Sequence, residues 1–106
     1  LVHLPVIRPF PLDRLCAAVR HADRFVVCDV SHPFCSFASE VIAQLALEGL
    51  IGGRPVRRVT RPDSFTPSAA HLEARHYPDW REIVVAAGFP RPDVAREAEG
   101  IPRTWI

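Results

Sequence analysis

Hydrophobic and polar positions change period along the chain, and each change marks an element. Leu1 to Ile7 is an apolar, partly β-branched run closed by Pro9 and Pro11, which predicts a short strand; His3 and Pro5 make it tolerant of an edge. From Leu12 the spacing turns helical: Leu12, Leu15, Cys16 and Val19 recur on one face, and Asp13 lies in the first turn. Arg20 and His21 follow where cations complement the helix dipole. After a three-residue turn, Phe25-Val26-Val27-Cys28-Asp29-Val30 is an apolar run interrupted once, the form of a central strand covered on both faces. Ser31-His32-Pro33 breaks it. Phe37, Val41, Ile42, Leu45, Ala46 and Leu50 then line one face of a second helix. Ser36 or Ser39 stands near its N-cap, Glu40 is in its first turns, and Gly49, Gly52 and Gly53 end it.

Pro55-Val56-Arg57-Arg58-Val59-Thr60 alternates β-branched and arginine side chains at period two, a strand with one solvated side, and then meets the turn opener Pro62-Asp63. Arg57 and Arg58 must fall on opposite faces of such a strand, so only one of them can address a partner. Residues 64–78 read as a loop holding one helical turn around Ala69 to Arg75. Trp80 to Ala87 is a last helix with Asp79 as its N-cap and Gly88 as its stop. The order strand, helix, strand, helix, strand, loop, helix predicts an α/β domain, a small and mostly parallel sheet flanked by helices, over residues 1–88. Residues 89–106 hold three prolines and no clear period, and read as a tail or partner-wrapping arm.

Composition sharpens this in three places. A chain of 106 residues that is 48% hydrophobic has room for one core and no second lobe. Thirteen basic against 12 acidic residues leave a net charge of +1, no field to hold a nucleic acid or an anionic membrane, and no apolar run reaches the roughly 18 residues of a bilayer span. With no Met, Leu1 is not a genetic start, so the chain reads as trimmed or cut from something longer. All 13 basic residues are Arg, which together with the abundant Ala, Val and Pro reads as the codon bias of a GC-rich bacterial genome. The three cysteines are odd in number and set among apolar residues, which argues for a reducing, cytoplasmic compartment.

Candidate chemistry is sparse. Cys28, His32 and Cys35 have a C-x3-H-x2-C spacing that could supply three zinc ligands; the plainer reading makes Cys28 core strand and His32 a loop residue. His71 and His76 are five apart, not the four that puts two ligands on one helix face, and are expected as exposed loop histidines. Ser31, His32 and Asp29 are too close along a strand end to form a hydrogen-bonded relay. Cys35, before a helix N-terminus, is a candidate for an activated thiol, with structural filler the plainer role. Trp80 is expected to pack in the core of the last helix, whereas Trp105, beside Ile106, is the better docking anchor.

Four stretches, in order, carry a family resemblance. Pro5-Val6-Ile7-Arg8-Pro9-Phe10-Pro11-Leu12-Asp13 looks like a strand followed by an "LRPLD" helix start, and Phe37-Ala38-Ser39-Glu40 like a "GGFASEI" or "GGFGAEI" helix opening. Pro55 to Pro67, with Arg57-Arg58-Val59-Thr60 and Pro62-Asp63, resembles "PVKRVTGPDxPxP"; Tyr77-Pro78-Asp79 resembles "YxPD". Together they resemble the C-terminal transketolase-like domain of the β subunit of thiamine-diphosphate-dependent 2-oxo acid dehydrogenases, with Ala38-Ser39-Glu40 leaning toward the branched-chain type. Two departures stand out. Cys35 and Ser36 replace the family's paired glycines, and the family domain starts one strand and one helix earlier.

The resemblance implies a part of an enzyme that decarboxylates a 2-oxo acid and transfers the acyl group to lipoamide. It places the thiamine diphosphate and Mg site on the α subunit and the activating acid in the N-terminal domain of the β subunit, so no catalytic, cofactor or metal residue is expected here. What remains is an assembly and docking role toward the α subunit, the N-terminal part of the β subunit and the lipoyl acyltransferase core, with Glu40, Arg57, Asp63, Trp105 and Ile106 as interface candidates. A stand-alone or split module that completes a partner subunit is the alternative. A small zinc or thiol enzyme is the third reading.

Overall fold

The computed structural model describes residues 1–90. Six elements follow one another: α1 (Leu12–Val19), β1 (Phe25–Cys28), α2 (Phe37–Leu47), β2 (Val56–Val59), α3 (Ala70–Glu73) and α4 (Trp80–Ala86). The strands pair in parallel, Phe25 opposite Val56 through Cys28 opposite Val59. A parallel pair needs a crossover, and α2 supplies it.

The chain is thus a small α/β domain, but with two strands among the described residues where three are expected. Leu1 to Ile7 joins no ladder. Pro5 has no N–H to give one, and Leu1 to Leu4 instead flank β1 along a shared cleft. β1 is correspondingly a strand with one neighbour rather than a central one: Phe25 is buried, Val26 and Val27 are half-buried, and Cys28 is exposed, contrary to a core position.

Period-two alternation sorts the strand side chains into two layers. Phe25 and Val27 face a core of Leu15, Phe25, Val41 and Leu45, against which Leu4, Phe10, Val19, Phe37 and Val56 also pack. On α2 the buried residues are Ala38, Val41 and Leu45; Ala46, expected on that face, is exposed. The other face of the sheet meets α4, which packs on both strands yet buries none of its own residues. Trp80 is accordingly 42% exposed rather than in the core, with the Arg81 guanidinium 5.0 Å from its ring centroid in place of apolar neighbours.

Caps explain the helix limits. Ser36, and not Ser39, is the N-cap of α2: its Oγ accepts from the Ser39 amide at 3.1 Å. Asp79 does the same for α4, accepting from the Arg81 amide at 3.2 Å. Both helices end on a left-handed glycine, Gly49 at φ 69° and Gly88 at φ 88°, with the next amide reaching back to Leu45 at 3.0 Å and to Val84 at 3.2 Å. α1 has no basic residue within its last turn, but Arg20 is its C-cap, and a further cation supports the same end. Arg54 does so from across the fold: its Nη1 donates to the carbonyls of Arg20 at 3.2 Å and Ala22 at 3.0 Å, while its guanidinium lies 5.8 Å from the Phe25 ring centroid. No helix among the described residues is long and apolar enough to cross a membrane.

Candidate functional site

In an open parallel sheet the carboxyl ends of the strands are where side chains converge, and the polar residues of this chain do gather there. Asp29 leaves the end of β1 and turns back onto the start of α2. Its carboxylate accepts from the Ser31 amide at 3.2 Å, the Ala38 amide at 3.1 Å and, by a short bond, the Ser31 hydroxyl. Partial burial pushes the carboxyl pKa up, but the bonds from Ser31, Ala38 and Phe37 together outweigh it and hold the group below its ordinary range. A charged acceptor at the positive end of α2 is stabilising twice over, through orphan amides and through the dipole.

Ser39 sits at the centre of the same end. Its hydroxyl lies 3.0 Å from the Ser36 hydroxyl, donates to the Pro33 carbonyl at 3.3 Å, and receives a short bond from Arg58 of β2. His32 Nδ1 lies 3.7 Å from the Asp63 carboxylate, which joins the loops after β1 and β2. Ser31 and Asp29 bond to each other, contrary to the expectation that they point apart, while His32 lies beside Asp63.

The cysteines and histidines divide differently from the sequence expectations. Among the described residues no group of three or more His, Cys, Asp and Glu side chains is placed to hold a metal. Partial desolvation of the Cys28 sulfur, on a residue that is otherwise exposed, pushes its thiol up, and the carboxylates of Asp29 and Glu82 add to it, which disfavours the thiolate. Cys35 is exposed and holds a left-handed backbone, φ 52°, where the resemblance puts glycine. His71 is exposed as expected, but His76 is 6% exposed and its Nε2 has no hydrogen-bond partner. Nothing in the local sequence signals that burial.

The interface candidates are not brought together. Glu40 is exposed on α2 and accepts from Gln44 Nε2 at 2.7 Å. Arg57 and Arg58 do fall on opposite faces: Arg58 is tied to Ser39, while Arg57, which donates to the Val56 carbonyl, borders a hollow of about 190 Å³ with Val85, Ala86 and Gly88. Asp63 is 75% exposed beside His32. Trp105 and Ile106 lie outside the described residues, as does most of the 89–106 arm. A hollow of about 710 Å³ runs along β1 between Leu1 to Leu4 and the helices, walled by Leu15, Val26, Val27, Phe37 and Val41. His3, Arg24 and Asp29 are the charged or titratable groups at its margins, and the rest of its lining is mainly apolar. Large side chains stand out on the loops: Phe65 is 99% and Phe34 80% exposed.

Comparison with known proteins agrees with this picture. Over 79 residues the chain is 27% identical to the acetoin:2,6-dichlorophenolindophenol oxidoreductase subunit beta of Bacillus subtilis (strain 168), an alignment that covers 74% of this chain and 23% of that one. With the protein of the same name from Cupriavidus necator it shares 27% identity over 88 residues, 82% of this chain and 26% of the relative. The chain thus spans about a quarter of the length of the curated relatives it matches. No solved structure matches it. The family model described as "Transketolase, C-terminal domain" covers residues 1–83, and the chain belongs to that family.

Proposed function

We propose that the chain is a noncatalytic assembly and docking domain in the first component of a thiamine-diphosphate-dependent 2-oxo acid dehydrogenase. The parent reaction is decarboxylation of a 2-oxo acid with transfer of the acyl group to lipoamide. The observation that carries this reading is that residues 1–83 form a transketolase C-terminal domain, and that the chain matches about a quarter of the length of two proteins named as β subunits. The partners are the α subunit, the N-terminal part of the β subunit and the lipoyl acyltransferase core. Exposed Phe34, Phe65, Tyr77 and Trp80 support a protein-binding role, since large exposed aromatics serve as anchors. Glu40, Arg57 and Asp63 are its polar contacts, and Trp105 and Ile106 its contacts from the arm.

Thiamine diphosphate and Mg belong to the parent enzyme and not to this chain alone. Asp29, the acid best placed at the sheet end, has its oxygens taken by Ser31 and the α2 amides, which leaves it poorly suited to hold a cation. The chain mixed with thiamine diphosphate, Mg and either a branched-chain 2-oxo acid or acetoin is expected to give no turnover. With an α subunit and an N-terminal β fragment added, a larger species in size-exclusion chromatography and turnover are both expected. Turnover by the chain alone overturns the noncatalytic reading; no complex with any partner overturns the docking one.

The unpaired edge of β1 favours one second reading, a split module that completes a partner subunit through that edge. In that case the complex forms with a β fragment lacking this domain and needs no α subunit.

A further inference from the structure

We draw no further inference here: the strongest candidate, the apolar cleft of about 710 Å³ along the unpaired edge of β1 between Leu1 to Leu4 and the helices, carries nothing beyond the readings above because nothing in the structure shows what covers it.

Discussion

Cys35 sets a side chain where the backbone favours none. At φ 52° its Cβ crowds the adjacent carbonyl, a conformation that costs a non-glycine residue about 1–2 kcal/mol. Cys35→Gly removes that strain and loses part of the gain to the freer unfolded chain, so a net rise of about 0.5–1 kcal/mol in urea unfolding is expected. Cys35→Ala keeps the Cβ and should gain nothing; equal gains from both would place the effect in the thiol. Asp29 acts through charge. Its folded-state pKa lies below the ordinary 3.8, so its contribution is full above that value and disappears as pH falls through the lowered one. Asp29→Asn should cost about 1–2 kcal/mol at pH 7, and the gap to the parent chain in thermal melts should close in acid. A gap that persists there would mean that shape, not charge, is responsible. The special backbone at Cys35 was legible through the family glycines, whereas the grip of Asp29 on Ala38, nine residues on, had no local signal.

At the scale of elements, periodicity and caps carried most of the information. Asp79 and Gly88 bound α4 as their residue types dictate, and Leu15, Val41 and Leu45 are buried at the helical spacing that announces them. Two failures have physical causes. The run Leu1 to Ile7 has strand composition, but a strand exists only when a neighbour takes its hydrogen bonds, and composition does not supply one. The end of α1 is held by Arg54, 34 residues beyond the Arg20 carbonyl it bonds, a distance no reading of local charge can bridge. Arg54→Ala should therefore lower stability by about 1–2 kcal/mol, with Arg54→Lys recovering only part because an ammonium lacks the planar face that lies against the Phe25 ring. Urea melts of the two variants check this; equal loss in both would leave the planar guanidinium, through the Phe25 ring, as the main contact.

For the whole molecule, fold class was readable because strand and helix alternate, and alternation with these loop lengths compels parallel pairing. How much would be buried was not readable. The described hydrophobic core comes down to six buried side chains, Leu15, Phe25, Ala38, Val41, Leu45 and Val59. Leu45, 2% exposed, sits among them, and Leu45→Ala is expected to cost about 2–5 kcal/mol, a large share of what a domain of this size has in hand. Circular dichroism at 37 °C would then show a partly unfolded population, and an unchanged melt would mean that neighbouring side chains collapse into the space.

The bond from Arg24 Nη1 to the Ala87 carbonyl, 2.6 Å long, spans 63 residues and ties the start of β1 to the last turn of α4. Because α4 buries none of its own residues, its opening exposes little apolar surface and costs less than global unfolding. In deuterium exchange the amides of Ile83 to Ala87 should therefore exchange ahead of those of Val41 to Leu45, and Arg24→Ala should hasten the first group alone. Simultaneous exchange of both groups would mean that the helix and the core open as one unit. Opening of α4 alone would bare the outer face of the sheet, Arg57 included, and leave the core of Leu15, Phe25, Val41 and Leu45 closed.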